Sequence, residues 1–155
     1  MKNARIAMLT MALLLLFSYS VFAGGWEPIG EDVEGNLYFI APGTISYTEN
    51  NKKSDKFGFN VLVQINYNEI GRYKLIEKTK NRDDSWKYKY ISYVVAEFSF
   101  YRENYKKSYR INSSSGYAED GTLVAEDVWH WQEYKPFDPK SMANVIYNAS
   151  YQYLR

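Results

Sequence analysis

The chain has 155 residues, no cysteine, one histidine, 16 tyrosines and a formal net charge of +1. This length favours a single domain, and the lack of cysteine excludes disulfide scaffolds, thiolate metal sites and cysteine nucleophiles. With 18% aromatic and 24% charged residues, the composition is typical of a folded protein and excludes a disordered chain.

Residues 1–23 have the pattern of a secretory signal peptide. Lys2 and Arg5 precede an apolar run, and Val21 and Ala23 occupy the two positions where signal peptidase accepts small side chains. The apolar run is shorter than the roughly 20 residues that span a bilayer. We therefore expect this segment to be cleaved and not to remain as an anchor helix.

After cleavage, residues 24–155 would form one domain with 17 basic and 18 acidic residues, a net charge of −1. No second long apolar stretch follows, so we expect no transmembrane segment in the mature protein. An exported domain without cysteine depends on packing alone, which is common in bacteria and unusual for small extracellular animal domains. The sequence thus favours a bacterial protein in the periplasm, at the cell surface or outside the cell.

Alternation of apolar and polar residues predicts the first strands of an antiparallel sheet. Residues 37–41 and 44–48 predict a short hairpin around a Pro-Gly pair at 42–43. Residues 57–67 alternate over eleven positions, which indicates a long strand with one buried face. Residues 90–101 are partly apolar on both faces, so we expect this strand to be central.

Two further hairpins are predicted in the second half of the sheet. Residues 68–71 have the composition of a turn, and residues 73–78 alternate like a strand that returns from it. Residues 108–118 and 123–131 flank an Asp-Gly dipeptide at 120–121, which tolerates positive φ and favours a hairpin turn.

The C-terminal pattern is helical. Asp138 can act as an N-cap with Pro139 at the first helical position, and apolar residues recur at helical spacing over residues 139–153. Strands followed by one helix predict an α+β fold. We expect an antiparallel β-sheet of about six strands with one C-terminal amphipathic helix packed on it.

The residues offer little catalytic chemistry. His130 is the only imidazole, and it lies between two tryptophans on a predicted strand. We interpret it as a surface or sheet-packing residue, the alternative being a general base paired with a distant carboxylate. The acidic pairs are adjacent in sequence, so on a strand they would point to opposite faces and not across a cleft. No phosphate-binding loop or metal-ligand spacing is present, so we predict no enzyme activity, no cofactor and no metal.

Charge is unevenly distributed along the chain. Residues 72–110 carry 11 basic and 5 acidic groups, a net charge of +6, between flanks of −4 and −3. Basic and aromatic residues interleave in this block. The candidate partner-binding residues are Lys74, Lys78, Lys80, Arg82, Trp86, Lys87, Tyr88 and Lys89.

Two interpretations of this block stay open. Lys74, Lys78 and Lys80 share a parity, so an extended chain would place them on one side, where they could be a solvated face that discourages edge pairing. Alternatively, the block binds an acidic partner: an acidic host protein, a sulfated glycan or an anionic envelope polymer. The signal peptide argues against nucleic acid. Exposed Tyr and Trp would also suit a periplasmic carbohydrate-binding or inhibitor-like module.

A set of landmarks spans most of the mature chain: Trp26 with Ile29, Tyr38-Phe39-Ile40, Ile45-Ser46-Tyr47, Tyr109-Arg110-Ile111, Gly121 with Leu123-Val124, Trp129 or Trp131, and Pro136 or Pro139 with Ser141 before the closing helix. This pattern resembles the surface-adhesin protein E family of small exported bacterial proteins. The resemblance implies an antiparallel sheet with the C-terminal helix packed on it. It also implies binding of host extracellular-matrix or serum proteins without enzyme activity.

One departure from this family concerns cysteine. The resemblance implies a disulfide between the long central strand and the closing helix, at positions near 98–102 and 148–152 here, and neither stretch contains cysteine. We expect apolar packing by Tyr147, Ala149 and Tyr151 to hold the helix to the sheet instead.

Overall fold

The computed structural model describes residues 25–51, 56–129 and 133–154. The predicted signal peptide and His130 lie outside the described residues. The strands are β1 (Glu27–Glu31), β2 (Leu37–Ile40), β3 (Ser46–Asn51), β4 (Lys56–Asn66), β5 (Tyr93–Glu103), β6 (Lys106–Tyr117), β7 (Leu123–Glu126) and β8 (Lys135–Pro136). The α-helices are α1 (Glu69–Thr79) and α2 (Met142–Tyr151), and short 3-10 helices cover Pro42–Thr44, Ser85–Tyr90 and Gln152–Leu154.

The strands form one antiparallel sheet in the order β1-β2-β4-β5-β6-β7. β2 and β3 pair with different parts of β4 along the same edge, one after the other, and β8 pairs with β6. The described sheet therefore has eight strands but is only six strands wide. β5 lies in its interior, between β4 and β6. The predicted α+β fold, with α2 packed on an antiparallel sheet, is confirmed.

The predicted hairpin around Pro42 is wrong. β2 and β3 both pair antiparallel with β4, so they run in the same direction as two halves of one interrupted strand. Proline has no N–H to continue the ladder, and the chain steps outward in the 3-10 turn that Pro42 begins. The Thr44 hydroxyl accepts a hydrogen bond from the Leu62 N–H at 3.0 Å, which fills the gap in the ladder.

The strand predicted over residues 73–78 is also wrong, because these residues belong to helix α1. The Asn68 side chain caps the helix by accepting a hydrogen bond from the Gly71 N–H at 2.8 Å. Gly71, Leu75 and Thr79 recur every four residues and form the buried face. Two of these three residues are small or polar, so the helical period is faint in the sequence.

Helix α2 begins later than predicted, at Met142 with Ser141 as N-cap. The Asp138 side chain accepts a hydrogen bond from the Lys140 N–H at 2.7 Å, and the Asp138 carbonyl accepts one from the Ser141 N–H at 3.0 Å. Asp138 and Pro139 thus form a turn that precedes the helix. Neither described helix has the length and apolar character needed to cross a membrane.

The β6–β7 hairpin is confirmed at the Asp-Gly turn. Gly121 has a φ of +85°, and the Asp120 carboxylate accepts a hydrogen bond from the Thr122 N–H at 2.9 Å. β7 ends at Glu126, earlier than predicted, because Asp127 has a φ of +51° and turns the chain out of the sheet. This turn carries Trp129 towards the face of the sheet that the helices cover.

An aromatic cluster joins α2 to the sheet. Phe59 and Phe100, opposite each other on β4 and β5, stack with their ring centroids 5.2 Å apart. The Tyr147 ring lies 5.4 Å from Phe59 and 5.7 Å from Phe100, and Tyr151 lies 5.4 Å from Phe57. The expected packing of Tyr147 and Tyr151 against the sheet is therefore present.

Candidate functional site

The predicted partner-binding residues lie on α1, the 3-10 helix Ser85–Tyr90 and the loop between them. We call residues 72–90 the basic-aromatic segment. Its rings fall into two groups. Tyr73, Trp86 and Tyr90 are 65%, 63% and 53% exposed, whereas Tyr88 is fully buried. Tyr88 is therefore a core residue and not a contact for a partner, and burial raises the pKa of its hydroxyl.

Because residues 69–79 form a helix, the three lysines predicted to lie on one side of a strand do not all lie on one side. Lys74 and Lys78, four residues apart on α1, share a face, as they would have on a strand, but Lys80 follows the helix and lies on another side. The shared face of Lys74 and Lys78 is turned towards the loop between β1 and β2, since both residues line a small cavity with Asp32 and Glu34.

Nearby carboxylates compensate much of the positive charge in the segment. Lys74 pairs with Glu34 at 2.7 Å and Lys80 pairs with Glu77 at 3.1 Å. Asp84 lies 3.3 Å from the Arg82 Nε and 4.0 Å from the Lys87 Nζ. Such exposed pairs contribute only about 0–1 kcal/mol each, so an acidic partner can compete for these cations.

Two lysines keep their ammonium groups against aromatic rings. The Lys89 Nζ lies 4.8 Å from the centroid of the Tyr90 ring, and the Lys87 Nζ lies 5.8 Å from that of Trp86. These distances are within the range of cation–π attraction. The 3-10 helix therefore presents an exposed ring and a positive charge together, twice within five residues.

The structure also contains a cavity of about 510 Å³ between α1, α2 and the sheet, which sequence reasoning missed. We call it the inter-helix cavity. Ile65, Phe98 and Ile111 of the sheet form its floor, and Ala143 and Ile146 of α2 form one wall. It is partly open to solvent. The exposed residues Lys78 and Arg82 are part of its lining, as is Trp129.

A second cavity of about 180 Å³ adjoins the first and has a larger share of polar and charged residues in its lining. Tyr38, Lys78 and Trp129 line both cavities. The hydroxyl of Tyr67, which lines the smaller one, is buried and has no hydrogen-bond partner among the described atoms. Burial raises the pKa of Tyr67, so this hydroxyl stays protonated and can donate.

Asp32 organises the loop beside the smaller cavity. Its carboxylate accepts hydrogen bonds from the Glu34 N–H, the Asn36 N–H, the Asn36 amide and the Tyr38 hydroxyl at 2.9–3.2 Å. Burial alone would raise the pKa of Asp32, but these hydrogen bonds outweigh burial and hold its pKa below the ordinary value. Asp32 is thus a fixed anion that holds the loop in place.

We expect Asp32 to make stability depend on pH in the acid range. Because its pKa is lowered by folding, its contribution is complete above the ordinary value of 3.8 and is lost as the pH falls through the lower folded-state value. Asp32→Asn should therefore lower the free energy of unfolding at neutral pH. The difference from the unsubstituted protein should shrink below pH 3.8. Urea unfolding over a pH series measures this, and a difference that is constant with pH would contradict it.

No local signal in the sequence could have revealed the inter-helix cavity. Its walls come from β2, β4, β5, β6, both helices and the turn that carries Trp129, which are distant along the chain. Among the described residues, no group of three His, Cys, Asp or Glu side chains could hold a metal ion.

Fold and site together define an antiparallel α+β domain with an aromatic, basic surface segment and an apolar cavity beneath its helices. No family model matches the chain, and no curated protein or solved structure is found to match it. The resemblance to the surface-adhesin protein E family therefore stays a prediction from the sequence landmarks.

Proposed function

We propose that this chain is an exported bacterial binding protein without catalytic activity, similar in role to the surface adhesins that its landmarks resemble. Its partner is an acidic protein of the host matrix or serum, recognised by the basic-aromatic segment. The observation that carries the proposal is the exposure of Tyr73, Trp86 and Tyr90 on this one segment, each with a lysine next to it in sequence.

Contact of exposed aromatic rings with water is unfavourable in free energy, and such rings are the side chains that dominate protein interfaces. Trp and Tyr bury a large contact area and lose little conformational entropy on binding. The lysines beside them add complementarity to acidic groups, which increases the association rate more than the affinity. A partner that offers apolar pockets rimmed by carboxylates would satisfy both features of the surface.

The double substitution Trp86→Ala and Tyr90→Ala should weaken binding to an acidic matrix or serum protein by about 30-fold or more, the loss typical of a hot spot. Both rings are exposed, so the fold should tolerate their removal. Surface plasmon resonance of the exported protein over immobilised matrix and serum proteins measures the effect. Tyr134→Ala is the matched control, because Tyr134 is an exposed ring outside the segment.

The charge contribution is tested with Lys89→Glu, which should slow association and reduce its dependence on salt. Lys140→Glu, an exposed lysine outside the segment, is the control. Unchanged binding in both Lys89→Glu and the double aromatic variant would overturn the assignment of this surface. Binding to neutral oligosaccharides that survives Lys89→Glu and fails in the aromatic variant would favour a carbohydrate-binding module instead.

A further inference from the structure

The inter-helix cavity is large enough, and open enough to solvent, to admit a small molecule. A volume of about 510 Å³ falls within the roughly 300–1,000 Å³ of small-molecule pockets. The cavity lies between a sheet and two helices that are anchored elsewhere in the core, α1 through Leu75 and α2 through Tyr147. Each helix therefore has an anchor in the core outside the lining of this cavity.

The chemistry of the lining has two parts. The floor and walls are aliphatic and aromatic, with Ile65, Phe98, Ile111, Ala143 and Ile146 among them. The charged residues of the described lining are both cations, Lys78 and Arg82. Both are exposed residues, so they mark the side that faces solvent. An apolar chamber with a positive mouth is complementary to a molecule with an apolar body and a negative end.

The two cations of the lining differ in their partners. Among the described residues, no carboxylate lies within ion-pair distance of Lys78, although Lys74 on the same helix and Lys80, the residue directly after the helix, are paired. The Arg82 guanidinium is held by Asp84 and by the Asp127 carbonyl, 3.1 Å from its Nη1. A guanidinium has five N–H donors, so Arg82 keeps donors for another acceptor while its position is fixed.

The smaller cavity supports the same placement of a negative end. Asp32 and Glu34 line only that cavity, whereas Lys78 lines both. Lys74 also lines the smaller cavity and compensates Glu34, so the carboxylate there that has no ion pair among the described residues is that of Asp32. The Asp32 carboxylate disfavours an anion in the smaller cavity, and Lys78 and Arg82 favour the head of an anionic ligand on their side.

We propose that the inter-helix cavity binds a carboxylate amphiphile of the fatty-acid type. The carboxylate head pairs with Lys78 and Arg82, and the hydrocarbon chain lies across Ile65, Phe98 and Ile111. This site takes Lys78 and Arg82 from the basic-aromatic segment but none of its exposed rings, and the proposal does not rest on the proposed function.

The first test is a chain-length series, from octanoate to tetradecanoate, measured by isothermal titration calorimetry with the exported protein. Burial of each added methylene should increase the affinity by about fourfold until the chain fills the cavity. Dodecyltrimethylammonium, with the same chain and the opposite charge, should bind at least about tenfold more weakly than dodecanoate. An affinity that is independent of chain length, or equal for the two head groups, would overturn the proposal.

The second test removes the positive head-group contact. Lys78→Gln should weaken dodecanoate binding by about tenfold, the value of a lost charge-assisted hydrogen bond. Lys80→Gln is the matched control, because Lys80 directly follows the same helix and is not part of the lining. Ala143→Leu should fill part of the cavity and reduce the dependence on chain length. If Ala143→Leu does not fold, the comparison of Lys78→Gln with Lys80→Gln still decides, and equal affinities in these two variants would contradict the proposal.

Discussion

Phe100→Ala should lower the free energy of unfolding by about 3–5 kcal/mol, the usual cost of removing a buried aromatic ring. Phe100 is fully buried on β5. Its ring contacts Phe59 on β4 and Tyr147 on α2, and also Phe137, 5.9 Å away, in the stretch that precedes α2. Removing it therefore leaves a void where the sheet and the helix meet. The surrounding rings pack on one another, so they can collapse only partly into the void.

Urea unfolding followed by circular dichroism measures this loss. Tyr73→Ala is the control, since Tyr73 is 65% exposed and its loss should change the free energy of unfolding by no more than about 0.5 kcal/mol. A loss below about 1 kcal/mol in Phe100→Ala would mean that the aromatic cluster does not anchor α2.

Gly71→Ala should destabilise the protein by about 2 kcal/mol, although alanine is the better helix former by about 1 kcal/mol. A Cβ added at Gly71 would lie 1.9 Å from the Asn36 Oδ1 and 2.6 Å from its Cγ. Asn36 cannot move away freely, because it is buried and its amide donates a hydrogen bond to the Asp32 carboxylate at 2.9 Å. The added methyl group must therefore displace Asn36 from Asp32 or push α1 off the sheet.

A double-mutant cycle separates the clash from helix propensity. In an Asn36→Ala background the obstacle is gone, so Gly71→Ala should be neutral or stabilising, and the two substitutions should couple by more than about 1 kcal/mol. Gly25→Ala is the control for glycine replacement, because a Cβ there meets nothing within 4 Å. If Gly71→Ala stabilises the unsubstituted protein, the close approach of Asn36 to α1 is wrong.

The parts of the fold that were predicted correctly are those with a long and local pattern. The alternation over residues 57–67 corresponds to β4, and the Asp-Gly dipeptide corresponds to the β6–β7 turn. Helix α1 was missed because its buried face is made by Gly71, Leu75 and Thr79, of which only Leu75 is a large apolar residue. Over six residues, such a helix is easily mistaken for an alternating strand.

The candidate site was only partly predictable for a different reason. The composition indicated a basic block, but Glu34, which pairs with Lys74, lies 40 residues away in sequence. Tyr88 and Tyr90 have the same local pattern, yet one is buried and the other is 53% exposed. Burial and ion pairing depend on which elements meet in space, and the sequence around a residue carries no signal for that.

The aromatic cluster between α2 and the sheet has a consequence for how the protein matures. An attachment made of rings has no oxidised and reduced state, so thiol reagents and disulfide isomerases have nothing to act on in this cysteine-free chain. Folding needs no oxidant and has no step of disulfide pairing. The attachment of the helix to the sheet therefore does not depend on the thiol–disulfide potential of the surroundings.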